Sequence, residues 1–112
     1  MTGHIVVFIT VSSPEEGEKI ANSLVEKRLA ACVNIVPGLR SIYRWEGNLC
    51  DDKELLLMAK TTEGLFARLE TEVKSLHPYK VPEIIALPIV NGSRDYLDWI
   101  DENTVNCPPL LA

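Results

Sequence analysis

A chain of 112 residues with 46% hydrophobic and 24% charged side chains has the make-up of one folded, water-soluble domain, which excludes a disordered tract or a fibrous repeat. Its 16 acids against 11 bases give a net charge of −5, and no window gathers Lys and Arg around aromatics, so nucleic acid is excluded as a partner. No apolar run approaches the ~18 residues that a membrane span requires.

The chain starts Met1-Thr2-Gly3 and enters a nearly continuous apolar and β-branched run, residues 4 to 11, which predicts a central strand. That start lacks the basic and long apolar regions of a secretory signal, so the expected compartment is the cytoplasm. Ser13-Pro14-Glu15-Glu16 has the form of a capping box with proline at the first helical position. With Ile20, Ala21, Leu24 and Val25 on one face, it predicts a helix over 14–29. Residues 32 to 36 form a short apolar run, Pro37-Gly38 predicts a bend or bulge, and 41 to 46 alternate large and polar side chains. Gly47-Asn48 offers hairpin turn chemistry, and the returning strand is expected at 54–61.

Thr62 is the expected cap of a second helix, whose apolar face is Leu65, Phe66, Leu69, Val73 and Leu76 and whose end is His77-Pro78. A fourth strand is expected at 83–90. Ser93-Arg94-Asp95-Tyr96 opens a short last helix, which Asn106-Cys107-Pro108-Pro109 cannot continue. The order βαββαβ plus a terminal helix is the α+β, split β-α-β arrangement, in one domain spanning 1–112. Two right-handed crossovers put both main helices on one face of an antiparallel sheet. The other face is expected to be bare, yet Val6, Phe8, Leu56 and Met58 make the strands apolar on both sides. Monomers rarely tolerate such a patch, so self-association is expected, with the arm from Cys32 to Asp52 reaching a neighbouring chain.

The densest polar cluster is His77-Pro78-Tyr79-Lys80-Val81-Pro82-Glu83, stiffened by two prolines that fix their own φ and extend the residue before each. An imidazole, a phenol, an ammonium and a carboxylate held on a stiff connector can meet an ion or a small ligand. His77 reads either as a helix C-terminal residue serving the last carbonyls or as a metal or ligand contact. Glu83 reads either as an exposed residue opening a strand or as a carboxylate partner to His77, and Tyr79 and Lys80 would line the same cleft. Tyr43 and Trp45 alternate on the arm, as subunit-interface residues or as a stacking surface for a small molecule.

Cys32, Cys50 and Cys107 suggest neither a disulfide framework nor a zinc site. Cys32 reads as a small buried hydrophobe and Cys50 as an accessible thiol in a polar turn. A small hydrolase or transferase would need Cys32 with a base, or the His77/Glu83 pair. No nucleophile elbow, zinc helix, calcium loop or phosphate-binding glycine loop is present, so the chain does not read as an enzyme.

Three stretches resemble one known family: Ala30-Ala31-Cys32-Val33-Asn34-Ile35, then Ser41-Ile42-Tyr43-Arg44-Trp45-Glu46-Gly47, then His77-Pro78-Tyr79 through Pro82-Glu83 with Tyr96-Leu97-Asp98-Trp99 downstream. In that order they resemble the CutA divalent-cation tolerance proteins. The resemblance implies a ferredoxin-like subunit, a homotrimer akin to the PII signalling proteins, and a role in tolerance to copper and other divalent metals. It further implies that inter-subunit clefts bordered by Tyr43, Trp45, His77, Tyr79, Lys80 and Glu83 accept Cu²⁺, another divalent cation or a small ligand. The alternative is a PII-like signalling or scaffold trimer without a metal, read by an unidentified protein partner. Copper ligands in some members are a cysteine late in the first strand and two adjacent histidines. Here Val11 and Leu76 stand at two of those places and only His77 remains, so a weak metal site is expected.

Overall fold

Alternating side chains decide how the strands stack. In the computed structural model, which describes residues 2–105, the strand β1 (His4–Val11) runs antiparallel to β3 (Asn48–Thr62), with Val7 opposite Ala59 and Phe8 opposite Met58. On its other side β1 meets β4 (Ile84–Pro88), and β3 carries β2 (Cys32–Trp45), so the sheet order is β2-β3-β1-β4. The odd-numbered residues Ile5, Val7, Ile9, Leu57 and Ala59 point one way and are buried. They form one core with Ile20 and Leu24 of helix α1 (Pro14–Glu26) and Leu69 and Val73 of helix α2 (Phe66–Leu76).

The opposite face is open, as the alternation requires. Val6, Phe8, Leu56 and Met58 are half-buried there, and Ile85 and Leu87 remain 52% and 41% exposed. Among the described residues, only one end of it is covered, by helix α3 (Arg94–Glu102), whose Asp101 meets His4 Nε2 at 2.9 Å. No helix among the described residues is long and apolar enough to cross a membrane.

Several boundaries differ from expectation. Helix α1 stops at Glu26 rather than 29, because Arg28 takes φ of 58° while the Leu29 and Ala30 N–H groups turn back onto the Leu24 carbonyl. With no glycine at that left-handed position, the sequence carries no stop signal. The hairpin turn is Glu46-Gly47, both at positive φ, instead of Gly47-Asn48, so β3 starts at Asn48 and not at 54. Residues 48–53, which precede the expected returning strand, are paired with β2 throughout, so the arm from Cys32 to Asp52 is a hairpin of two strands. The Thr62 hydroxyl caps nothing, because a 3₁₀ turn (Glu63–Leu65) intervenes before α2. Strand β4 spans 84–88, shorter than 83–90, and Ser93 makes no side-chain cap to α3. The bend at Asn106-Cys107-Pro108-Pro109 lies outside the described residues, as does Cys107.

The Ser13 cap is formed as expected, its hydroxyl accepting the Glu16 N–H at 3.2 Å. Replacing Ser13 with alanine leaves that donor unmet, and thermal or chemical unfolding should register a loss of about 1 kcal/mol.

Candidate ligand cleft

Pro37 and Gly38 make the site possible. Before them Val36 pairs with Leu56; after them Leu39 pairs with Glu54, one residue out of step, with Gly38 at φ of 86°. A one-residue shift reverses which face a side chain occupies. Past the bulge, Ser41, Tyr43 and Trp45 therefore join Asp52 and Glu54 on the face that Phe8 and Met58 occupy nearer the centre. There they meet the chain that leaves α2. The result is a cavity of about 770 Å³, walled by Tyr43 and Trp45 of β2, Glu54 of β3, Thr10 of β1, and Tyr79, Lys80, Val81 and Glu83 of the connector.

Five of the six expected site residues, Tyr43, Trp45, Tyr79, Lys80 and Glu83, thus share one cavity. His77 lies behind it, 7% exposed. The histidine backbone N–H, not its ring, serves the helix end by bonding the Val73 carbonyl at 2.8 Å. The ring turns to β1 instead, where Nε2 lies 2.7 Å from the Thr10 carbonyl, and since a carbonyl only accepts, Nε2 donates. Nδ1 then carries the lone pair that accepts the Tyr79 N–H at 3.1 Å. Both ring nitrogens are spent, and an ion at either would have to displace one of these bonds. Glu83 precedes β4 rather than opening it, and its side chain is exposed.

Tyr79 stacks at 4.6 Å between ring centroids on His77 and donates its hydroxyl to Glu54 Oε2 at 2.8 Å. Burial and that carboxylate push its phenol up to about 12, so it stays a protonated donor at neutral pH. Tyr43 donates likewise to Asp52, which raises its phenol well above the usual value. Arg40, also in the wall, forks onto Asp51 through Nε at 2.8 Å and Nη2 at 2.5 Å. Among the described residues, Glu54, Lys80 and Glu83 are the charged wall residues with no ion pair, and of these Glu54 is already engaged by the Tyr79 hydroxyl. Sequence reasoning missed Thr10, Arg40 and Glu54. The bulge was readable, but the partner it delivers to Tyr43 was not.

No group of three or more His, Cys, Asp or Glu among the described residues is placed to hold a metal ion. Cys32 is half-buried on the open sheet face beside Tyr96 of α3. His4 is engaged by Asp101 and His77 by Thr10, so neither imidazole is bonded to that thiol. Cys50 sits within β3 opposite Tyr43, half-buried rather than in a turn.

The family model for the CutA1 divalent ion tolerance protein matches residues 5–103. The divalent-cation tolerance protein CutA of Thermus thermophilus is 64% identical over 99 residues, covering 88% of this chain and 96% of that protein. The chloroplastic protein CutA of Arabidopsis thaliana is 52% identical over 102 residues, which cover 91% of this chain and 56% of the plant protein's own length. Among solved structures, the Thermus divalent cation tolerance protein superposes with a TM-score of 0.89 at 62% identity, covering 91% of this chain and 99% of that one. CutA1 of Oryza sativa gives 0.89 at 48% identity, with 94% and 98% covered. These names point to cation tolerance rather than to a known enzyme activity. The family model over residues 5–103, with an α+β fold that superposes on solved CutA1 structures along nearly the whole chain, places this protein in the CutA1 divalent ion tolerance family.

Proposed function

We propose that the chain is one subunit of a PII-like homotrimer that serves divalent-metal tolerance, its clefts accepting a cation or small ligand where neighbouring copies meet. The observation that carries this reading is the family match over residues 5–103. Support for assembly comes from the open sheet face, where Phe8, Met58, Ile85 and Leu87 form an apolar surface of the kind that marks an interaction site. Tyr43 and Trp45, 39% and 40% exposed, are then shared between cleft and interface.

In this arrangement Glu83 is the group available to a cation and Lys80 the group available to an anion. A single exposed carboxylate with oxygen neighbours favours weak, unselective binding of divalent ions over a tight copper site, which would want converging imidazole or thiolate ligands. Calorimetric titration with Cu²⁺ and with Zn²⁺ tests this. Glu83→Gln is expected to weaken binding about tenfold, the equivalent of ~1.4 kcal/mol. Equal affinity in parent and variant would remove Glu83 from the site, and no stoichiometric heat in the parent would remove the metal. In that second case the cleft reads as a small-anion site through Lys80, in a signalling or scaffold trimer read by a protein partner. A cytoplasmic setting suits the two unpaired thiols, Cys32 and Cys50.

A further inference from the structure

The segment between α2 and β4 closes one side of the cavity with very few attachments. Residues 78–83 join no strand ladder, and Val81 is 68% exposed. Among the described residues, no hydrogen bond or ion pair holds Lys80, Val81, Pro82 or Glu83 to the body of the subunit. What holds the segment lies at its start: His77 Nε2 on the Thr10 carbonyl, His77 Nδ1 under the Tyr79 N–H, and the Tyr79 hydroxyl on Glu54. These anchors are deep, since His77 and Glu54 are each 7% exposed.

We propose that residues 77–83 are a strap forming the movable wall of the cleft, and that His77, as the neutral Nε2–H tautomer, is the pin that holds it closed. This rests on reading the cavity as the ligand site. The strap's far end is fixed where Ile84 pairs with Ile9, so its free span runs from Tyr79 to Glu83. Pro78 just before that span and Pro82 within it make it stiff, and a stiff span held at Ile84 and released at its pin swings as a unit instead of crumpling. The pin must be an imidazole because one ring has to donate to a strand carbonyl and accept from the chain two residues on. A carboxamide also donates and accepts, but both its polar atoms sit at the same distance along the side chain, whereas Nδ1 accepts close to its own backbone and Nε2 donates one atom farther out. Lys80 and Glu83, the wall charges with neither an ion pair nor a hydrogen bond, ride on the strap itself, so its position decides whether they face the cavity.

Two measurements test the pin. Long-range ¹H–¹⁵N spectra of the intact protein at pH 7.5, with His4→Gln used to assign the second ring, should show His77 as the Nε2–H tautomer. An Nδ1–H tautomer or an imidazolium overturns the proposal, whether or not any variant folds. The second reads Tyr79 by its ultraviolet titration, against Tyr79→Phe as the blank. In His77→Ala the phenol, freed of both its burial and Glu54 as the strap swings out, should titrate near the ordinary ~10 instead of about 12. His77→Asn, which can still accept from Tyr79, should recover part of the difference. A folded His77→Ala protein whose Tyr79 titrates as in the parent overturns the pin. Neither measurement uses a metal, so a strap that loosens in a protein that binds no cation refutes the cleft's cation and leaves the pin standing.

Discussion

On the proposed trimer, a chain carrying Met58→Glu is expected to sediment as a monomer at concentrations where the parent is expected to sediment as a trimer. Met58 sits near the middle of β3, opposite Phe8 and Asn34, and its side chain points to the face that α1 and α2 leave open. Phe8 in turn faces Ile85 on β4, so the substitution places a carboxylate at the centre of the apolar surface. In a symmetric trimer the charge appears three times, and burying an unpaired carboxylate costs several kcal/mol each time. An interface cannot absorb that, whereas the lone subunit can, because position 58 touches solvent there. Circular dichroism should therefore remain that of the parent. Persistence of the trimer would show that this face is not where the copies meet.

One residue away the expectation reverses. Leu57 is fully buried, faces the helices and lies opposite Ile9 and Ile35. Leu57→Ala removes most of a side chain from close-packed surroundings and should cost about 3 kcal/mol, within the usual range of ~2–5 for such truncations. Against a total of roughly 5–15 kcal/mol for a domain, this is a large share. Trimer dissociation would make the apparent stability depend on concentration, so the comparison is best made in the Met58→Glu background. The urea midpoint should fall with an unchanged slope. A loss below about 1 kcal/mol would mean that the core collapses around the gap far better than its packing implies.

These neighbouring positions also show what could be read from the sequence alone. The α+β topology was legible because the nearly continuous apolar runs in 4–11 and 54–61 and the 3.6-residue spacing of Ile20, Ala21, Leu24 and Val25 and of Leu65, Leu69, Val73 and Leu76 are strong signals, and because Ser13 carries a complete capping box. The open face followed from strands that are apolar on both sides. Element ends were less legible where backbone geometry overrides residue preference: Arg28 and Glu46 adopt left-handed φ without being glycine. Composition singled out Tyr79, Lys80 and Glu83 on the connector and alternation singled out Tyr43 and Trp45 on the arm, while their meeting in one cleft was implied by the family resemblance. His77's actual employment was not, because its partner is a main-chain carbonyl 67 positions earlier, and a backbone acceptor leaves no mark in a sequence. Glu54 was missed for a related reason, since an acid at a strand start ordinarily faces water and its burial depends on Tyr79 arriving from another element.

The extra residue in β2 also separates two kinds of inheritance. Below it, Val33 is committed to the subunit's interior, and drift there is punished by loss of folding. Above it, odd-numbered positions such as Tyr43 and Trp45 answer to the other side of the sheet, so lineages can retune recognition at the ribbon's tip while the root stays under unrelated constraint.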